Sequence, residues 1–217
     1  MTALVDPVAL AAPVAPPALG IHERAVAATL TCVARHGLGK TTIDDIAREA
    51  GCSRATLYRY FGGKRELVQT VVRVEAARVA ETVRAAADAS ETLEDAVVAM
   101  LHTAGLELGE HPALRFVAAF EPERLLPHLT FTGGERFLAR AGAAIALSLE
   151  RFLPGRADRA AEWVARIGLT LWLCPSGPVS LADAVSLRAY VRAFVVPALD
   201  RPSFDPASPA LTVTLER

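Results

Sequence analysis

Residues 41–61 read TTIDDIAREAGCSRATLYRYF, and this stretch predicts two short helices joined by a tight turn. Apolar residues in its first half repeat at the three- and four-residue steps of one helix face, namely Ile43, Ile46, Ala47 and Ala50. Thr42 is a suitable N-cap for the first helix, and Ser53 for the second. Gly51 ends the first helix, because glycine adopts a positive φ without strain. This arrangement is a helix-turn-helix, which lays its second helix in the major groove of DNA.

The second of these helices is predicted to face outward with basic and hydroxyl side chains. Leu57 and Phe61 lie four residues apart and point inward together. Arg54 and Arg59 can therefore reach the edge of a guanine, and Ala55 can contact a thymine methyl. Residues 51–65 contain no acidic side chain, and their potential phosphate contacts are Ser53, Arg54, Thr56, Tyr58, Arg59, Tyr60, Lys64 and Arg65. The alternative for this pattern is a solvated basic face on an ordinary helix.

The same residues resemble the N-terminal signature of the TetR family of transcriptional regulators, over roughly residues 24–72. The matching positions are Ile46, Ala47, Ala50, Gly51, Ser53, Thr56, Leu57, Tyr58, Tyr60, Phe61, Lys64 and Leu67. Cys52 departs mildly, since an aliphatic residue is commoner there. The resemblance implies an all-helical homodimer on a palindromic operator, with a divergent C-terminal domain for a small-molecule effector. By position it also implies a DNA-contacting set of Thr42, Ser53, Thr56, Tyr58, Tyr60 and Lys64.

Charge is distributed unevenly along the 217 residues, whose formal net charge is −1. Residues 21–66, which we name the head, carry a net charge of +3, and the remainder carries −4. A basic head on an acidic body is expected of a DNA-binding protein with a separate sensing or assembly domain. We predict a flexible arm over 1–20, a DNA-binding head over 21–66, an effector-binding and dimerisation body over 67–200, and a flexible tail over 201–217.

Three scattered cysteines without CxxC spacing favour reduced thiols in a cytoplasmic protein over disulfides or a zinc site. We expect no metal, no cofactor and no membrane segment. Residues 37–42, GLGKTT, suggest a nucleotide-binding loop. That interpretation fails because Ala34 stands where the phosphate-loop motif requires its first glycine, and because a helix rather than a strand is predicted before it.

The rest of the chain is predicted to be helical, so the fold class is all-α. The expected helices are 22–36, 64–86, 92–108, 112–120, 134–152, 157–174 and 181–199, with a short turn near Glu123. Pro112 suits a first helical position and Ser180 an N-cap. The last two helices are strongly apolar, and they are the expected homodimer interface. Completion of a monomer's core is the alternative for their apolar residues.

The candidate effector pocket rests on apolar residues with a few polar anchors nearby. The candidate walls are Leu101, Phe116, Phe120, Phe131 and Trp163, and the candidate anchors are His102, Glu107, His111, Arg115 and His128. Core packing is the alternative for the aromatic residues, and capping or surface positions for the histidines. Because the helices of the body carry few charges, a hydrophobic effector is favoured.

Taken as a whole, the sequence predicts a homodimeric, ligand-responsive DNA-binding regulator, and a repressor is favoured over an activator. An enzyme is disfavoured because the chain has no G-x-S-x-G motif, no His/Cys metal cluster and no nucleophile beside a base. An architectural DNA-binding protein without an effector and a helical protein-binding module are the competing hypotheses.

Overall fold

The computed structural model describes residues 19–175 and 177–200, and its secondary structure there is entirely helical. The helices are α1 (Ile21–Lys40), α2 (Ile43–Glu49), α3 (Arg54–Phe61), α4 (Lys64–Asp88), α5 (Leu93–Glu110), α6 (Pro112–Phe120), α7 (Pro122–Leu129), α8 (Phe131–Glu150), α9 (Ala157–Leu173), α10 (Ala184–Tyr190) and α11 (Val196–Asp200), with a π-helical turn (Val191–Val195) between the last two. This confirms the all-α prediction. The predicted arm and tail lie almost wholly outside the described residues.

Two hydrophobic clusters organise these helices. The first, centred on Ile46, Leu57 and Phe61, joins α1, α2 and α3 and takes in the first turns of α4 through Leu67 and Val71. The second joins the far end of α4 to α5, α8, α9 and the last helix. Helix α4 therefore belongs to both clusters and is a continuous connection between them.

The joint between head and body is a third, small cluster in which α1 meets α6. Val33 of α1 packs there with Ala113 and Val117 of α6. Next to it, α1 is interrupted at Gly37, whose φ of 81° and ψ of 165° are not helical, and one further turn continues to Lys40. The expected end of the first helix at residue 36 is consistent with this kink, although a further turn follows it.

Two predicted segments need correction. The expected short turn near Glu123 is the eight-residue helix α7, because Pro122 occupies its first turn, where a missing N–H costs nothing, and Glu123 lies near its positive end. The helix predicted over 181–199 begins with α10 at Ala184 rather than at Leu181. Asp183 caps it by accepting hydrogen bonds from the amides of Val185 and Ser186. Ser180, the expected cap, accepts instead from the amide of Ala182.

Helix α8 also differs from its prediction, since it spans Phe131–Glu150 rather than 134–152. Two glycines, Gly133 and Gly134, lie in its first turn, where glycine would ordinarily weaken a helix. A Cβ on Gly133 would overlap the carbonyl oxygen of Pro127, so the close approach of the α7–α8 turn requires glycine there.

Candidate DNA-binding surface and candidate pocket

The start of α2 is held by a reciprocal capping box. The amide of Asp45 donates to Thr42 Oγ1 (3.2 Å), and the amide of Thr42 donates to Asp45 Oδ2 (3.0 Å). The hydroxyl of Thr42 also donates to that carboxylate, and these bonds hold the pKa of Asp45 below its ordinary value. The predicted cap at Thr42 is confirmed, and this residue is exposed at the edge of the head.

The turn between α2 and α3 has the predicted geometry. Gly51 has a φ of 63°, and Ser53 accepts a hydrogen bond from the amide of Thr56 (3.0 Å). The hydroxyls of Ser53 and Thr56 lie 2.8 Å apart and are hydrogen-bonded to each other. Leu57 is completely buried against α2. The turn and the buried face together fix which side of α3 is presented to solvent.

The exposed face of α3 carries the predicted DNA-reading side chains. Arg54, Ala55 and Arg59 are all exposed. The guanidinium of Arg54 pairs with Asp44 of α2 (3.3 Å) and lies over the ring of Tyr58, 5.4 Å from its centroid. The guanidinium of Arg59 lies 5.3 Å from the ring centroid of Tyr60. The face thus presents two guanidiniums beside two phenols.

Lys64 occupies a different environment from the other predicted DNA contacts. It is half-buried, and its Nζ donates a hydrogen bond to the carbonyl oxygen of Leu38 (2.7 Å). Burial lowers the pKa of its ammonium group, with a smaller contribution from the positive charge of Arg124. The lysine can still offer further N–H groups, because an ammonium has three donors.

Residues 37–42, whose sequence resembles a nucleotide-binding loop, bind a carboxylate of the same chain, that of Glu121. The amides of Leu38 and Gly39 donate to the side chain of Glu121, at 2.7 and 3.0 Å. Glu121 was not among the predicted functional residues, because its partners lie more than eighty residues away and no local pattern indicates them.

The candidate pocket residues are distributed over different parts of the described structure. Phe116 and Phe120 contact each other, with ring centroids 4.9 Å apart, but Phe116 also lies beside Gly37 at the joint of head and body. Leu101 is buried in the core of the body, where it approaches Gly168 of α9. Phe131 is 92% exposed and Phe120 is 72% exposed. The candidate wall residues are therefore divided, since Leu101 and Trp163 belong to the main cluster of the body, Phe116 and Phe120 form a separate pair, and Phe131 is exposed.

Three of the candidate anchors have structural partners. His111 accepts a hydrogen bond from the amide of Leu114 through Nδ1 (3.1 Å) and so caps α6. His102 Nδ1 lies 2.8 Å from the carbonyl oxygen of Leu181. Glu107 pairs with Arg78 (2.7 Å). The remaining two, Arg115 and His128, are exposed.

Trp163 lies in an open groove of about 240 Å³ between α9 and α10. Phe194 of the π-helical turn lies next to this groove; its side chain is 66% exposed, and its ring centroid lies 5.4 Å from that of Tyr190. We name this surface the α9–α10 face, and its members are Trp163, Ile167, Leu171, Tyr190 and Phe194.

Residues 19–175 and 177–200 contain no group of three or more His, Cys, Asp or Glu side chains that could hold a metal ion. Within the same part of the chain, no helix is both long enough and apolar enough to cross a membrane.

A capped helix-turn-helix, its basic outer face and a helical C-terminal domain together define a helix-turn-helix DNA-binding protein. A family model described as bacterial regulatory proteins, tetR family, matches residues 25–71. An HTH-type transcriptional regulator of Mycobacterium tuberculosis is 33% identical over 156 residues, which are 71% of this chain and 73% of that protein. The chain belongs to the tetR family, and it is a DNA-binding transcriptional regulator.

Solved structures have the same fold at low sequence identity. The TetR family repressor AlkX from a Dietzia strain, implicated in biodegradation of n-alkanes, aligns with a TM-score of 0.61 at 22% identity, covering 82% of this chain and 94% of that one. The fatty acid degradation regulator FadR from Bacillus halodurans aligns with a TM-score of 0.55 at 14% identity, covering 80% and 98%.

Proposed function

We propose that the protein is a homodimeric repressor that binds a palindromic operator and is released by a small hydrophobic effector. The observation that carries the proposal is the exposed face of α3, which offers Arg54, Ala55 and Arg59 on a rigid helix capped by Ser53. Two guanidiniums and a methyl are the groups that read guanine and thymine in the major groove. The proposed contacts also include Thr42, Ser53, Thr56, Tyr58, Tyr60 and Lys64.

We assign the two proposed functions, DNA binding and effector response, to the two parts of the chain that contain the two large hydrophobic clusters. Residues 21–66 would form the DNA-reading head, and residues 67–200 the effector-binding and dimerisation body. The α9–α10 face supports the dimer, because it combines the exposed ring of Phe194 with the partly buried rings of Trp163 and Tyr190, and an apolar surface of this kind favours a self-complementary interface. The proposed activity has no catalytic step, and it takes place in the cytoplasm because a bacterial operator lies there.

Release from DNA would follow from a shift between two conformers. In one, the two α3 helices lie about one DNA turn apart, roughly 34–36 Å, so that both enter the major groove. An effector that prefers another spacing weakens binding by its differential affinity, typically about 1–3 kcal/mol. The apolar interior of the body supports a hydrophobic effector.

Selection from random duplexes at fixed salt, with sequencing of the bound fraction, tests the proposal. An enriched inverted repeat is expected. Affinity that depends on salt alone would instead indicate an architectural DNA-binding protein, and failure to bind any duplex at low salt would indicate a protein-binding module. n-Alkanes and fatty acids are suitable first effector probes, because regulators of similar fold are named for the degradation of those compounds.

The substitution Arg59→Ala is expected to weaken operator binding by about 5- to 150-fold, equivalent to about 1–3 kcal/mol for one bidentate base contact. The side chain is exposed, so the melting temperature should change little. Arg73→Ala is the matched control, because it removes the same charge from an exposed position of α4. Equal affinities of the two variants in a salt-controlled titration would remove Arg59 from the contact set.

The substitution Lys64→Ala is expected to weaken binding to operator and unrelated duplexes alike. A phosphate contact carries no sequence information, and its loss should flatten the slope of log K against log salt by about one unit. Fluorescence anisotropy over a range of salt concentrations measures this slope. A loss confined to the operator would contradict a phosphate contact at Lys64.

A further inference from the structure

Glu121 lies at the junction of α6 and α7 and reaches from the body into the head. Its side chain is only 15% exposed. The amide of Leu38 donates to Oε2 at 2.7 Å, and the amide of Gly39 donates to Oε1 at 3.0 Å and to Oε2 at 3.2 Å. Hydrogen bonds to an ionised carboxylate are about twice as strong as neutral ones. The carboxylate of Glu121, which belongs to the body, thus binds the main chain just after the kink in α1.

Two glycines make room for this carboxylate. A Cβ on Gly37 would lie 2.9 Å from Glu121 Oε1, and a Cβ on Gly39 would lie 2.8 Å from the same atom. Both separations are too short for a carbon and an oxygen in van der Waals contact. Side chains at these two positions would push the carboxylate away from the amides.

Leu38 makes a second hydrogen bond, through its carbonyl oxygen. The carbonyl oxygen of Leu38 accepts a hydrogen bond from Lys64 Nζ at 2.7 Å. Lys64 is the first residue of α4, and α3 ends only three residues earlier, at Phe61. Leu38 therefore joins the carboxylate of Glu121 to the ammonium group at the start of α4, just after the reading helix α3. The carbonyl of Leu38 and the N–H of Gly39 belong to one peptide group, so their hydrogen bonds to Lys64 and Glu121 polarise and strengthen one another.

We propose that Glu121 is a positioning residue for DNA binding, which holds the backbone of Leu38 so that its carbonyl oxygen fixes the ammonium of Lys64 in place for a DNA phosphate. This inference rests on the phosphate contact proposed above for Lys64. It assigns no DNA contact to Glu121 itself. According to this inference, a movement of α6 or α7 is transmitted through Glu121 to the start of α4.

Removal of the charge of Glu121 tests the proposal, because general electrostatics and positioning predict opposite changes in the affinity for DNA. Glu121→Gln removes a negative charge, and general electrostatics predicts tighter binding to DNA. Positioning predicts weaker binding, by about tenfold, because the neutral amide holds the two N–H groups less firmly. Glu123→Gln is the matched control, since it removes the same charge two residues away from an exposed side chain. That control should bind as tightly as the native chain or slightly more tightly.

A double-mutant cycle tests whether the effect passes through Lys64. In a Lys64→Ala background, Glu121→Gln is expected to weaken binding by less than about twofold. Gly39→Ala is a second variant that keeps every charge. Its Cβ would displace the paired side chains of Glu121 and Arg124, and this should weaken binding to a similar extent as Glu121→Gln does in the native background. A general loss of stability would not produce non-additivity with Lys64, provided that affinities are calculated per active molecule at a temperature well below unfolding.

All affinities are measured by anisotropy on an unrelated duplex as well as on the selected operator. Tighter or unchanged binding by Glu121→Gln would overturn the proposal, as would full additivity with Lys64→Ala. Failure of the native chain to enrich an inverted repeat would instead count against operator recognition. The unrelated duplex would still report on Glu121, because a phosphate contact is independent of sequence.

Discussion

Substitution of Phe194 by arginine is expected to yield a monomer whose affinity for a palindromic operator is lower by about a hundredfold or more, because linked binding of two half-sites multiplies affinity by about 10²–10⁴. Phe194 is two-thirds exposed and lies beside Tyr190 on the α9–α10 face. A charge at the centre of an apolar interface must be desolvated without a partner. The protomer itself should remain folded, since the native ring contributes little to its own core.

Sedimentation velocity measures the oligomeric state, and anisotropy on the selected operator measures the affinity. Leu126→Arg is the control, because it places the same charge at a partly exposed apolar position on α7, away from the proposed interface. We expect that control to remain dimeric. A dimeric Phe194→Arg protein with native affinity would show that the α9–α10 face is not the dimer interface.

Substitution of Gly37 by alanine is expected to lower the free energy of unfolding by about 2–6 kcal/mol, combining about 1–3 kcal/mol of backbone strain with a similar cost of overpacking. A φ of 81° with a ψ of 165° falls in a region that only glycine adopts readily. The new Cβ would also lie 2.7 Å from Cε1 of Phe116, which is held in the joint between α1 and α6.

Gly155 offers a control that separates these two costs. It has a φ of 70°, but a Cβ there would meet nothing within 4 Å. Gly155→Ala should therefore cost only the backbone term, about 1–2 kcal/mol for a left-handed residue. Urea unfolding of the two variants gives the comparison. Equal urea midpoints of the two variants would mean that Phe116 and its neighbours move away from the added methyl group at no cost in the free energy of unfolding.

The head could be predicted from the sequence because its determinants are local. Thr42 and Ser53 cap the helices that immediately follow them, and Gly51 turns the chain between them. Each of these features depends on residues within three or four positions, so spacing alone identifies it. The inward direction of Leu57 follows from the same helical repeat.

The joint between head and body could not be predicted in this way. Glu121 is bonded to amides of a loop far away in the sequence, and an isolated glutamate before a proline has no distinctive pattern. The positions of the candidate pocket residues could not be predicted for a related reason, since composition says which side chains are apolar but not which of them are neighbours in the fold. Phe131 illustrates this, because it is apolar and yet almost fully exposed.

The bonds that pass through Leu38 have a consequence for mutational screening. Both are made by main-chain atoms, so replacement of the leucine side chain leaves donor and acceptor in place. In a complete substitution library, Glu121 and Lys64 would therefore be sensitive through these bonds, whereas most replacements of Leu38 would report only the packing of its side chain against the small cluster of α1 and α6. Loss of the N–H itself, by proline or by an ester in place of the amide of Leu38, would expose the part that its main chain has in the relay.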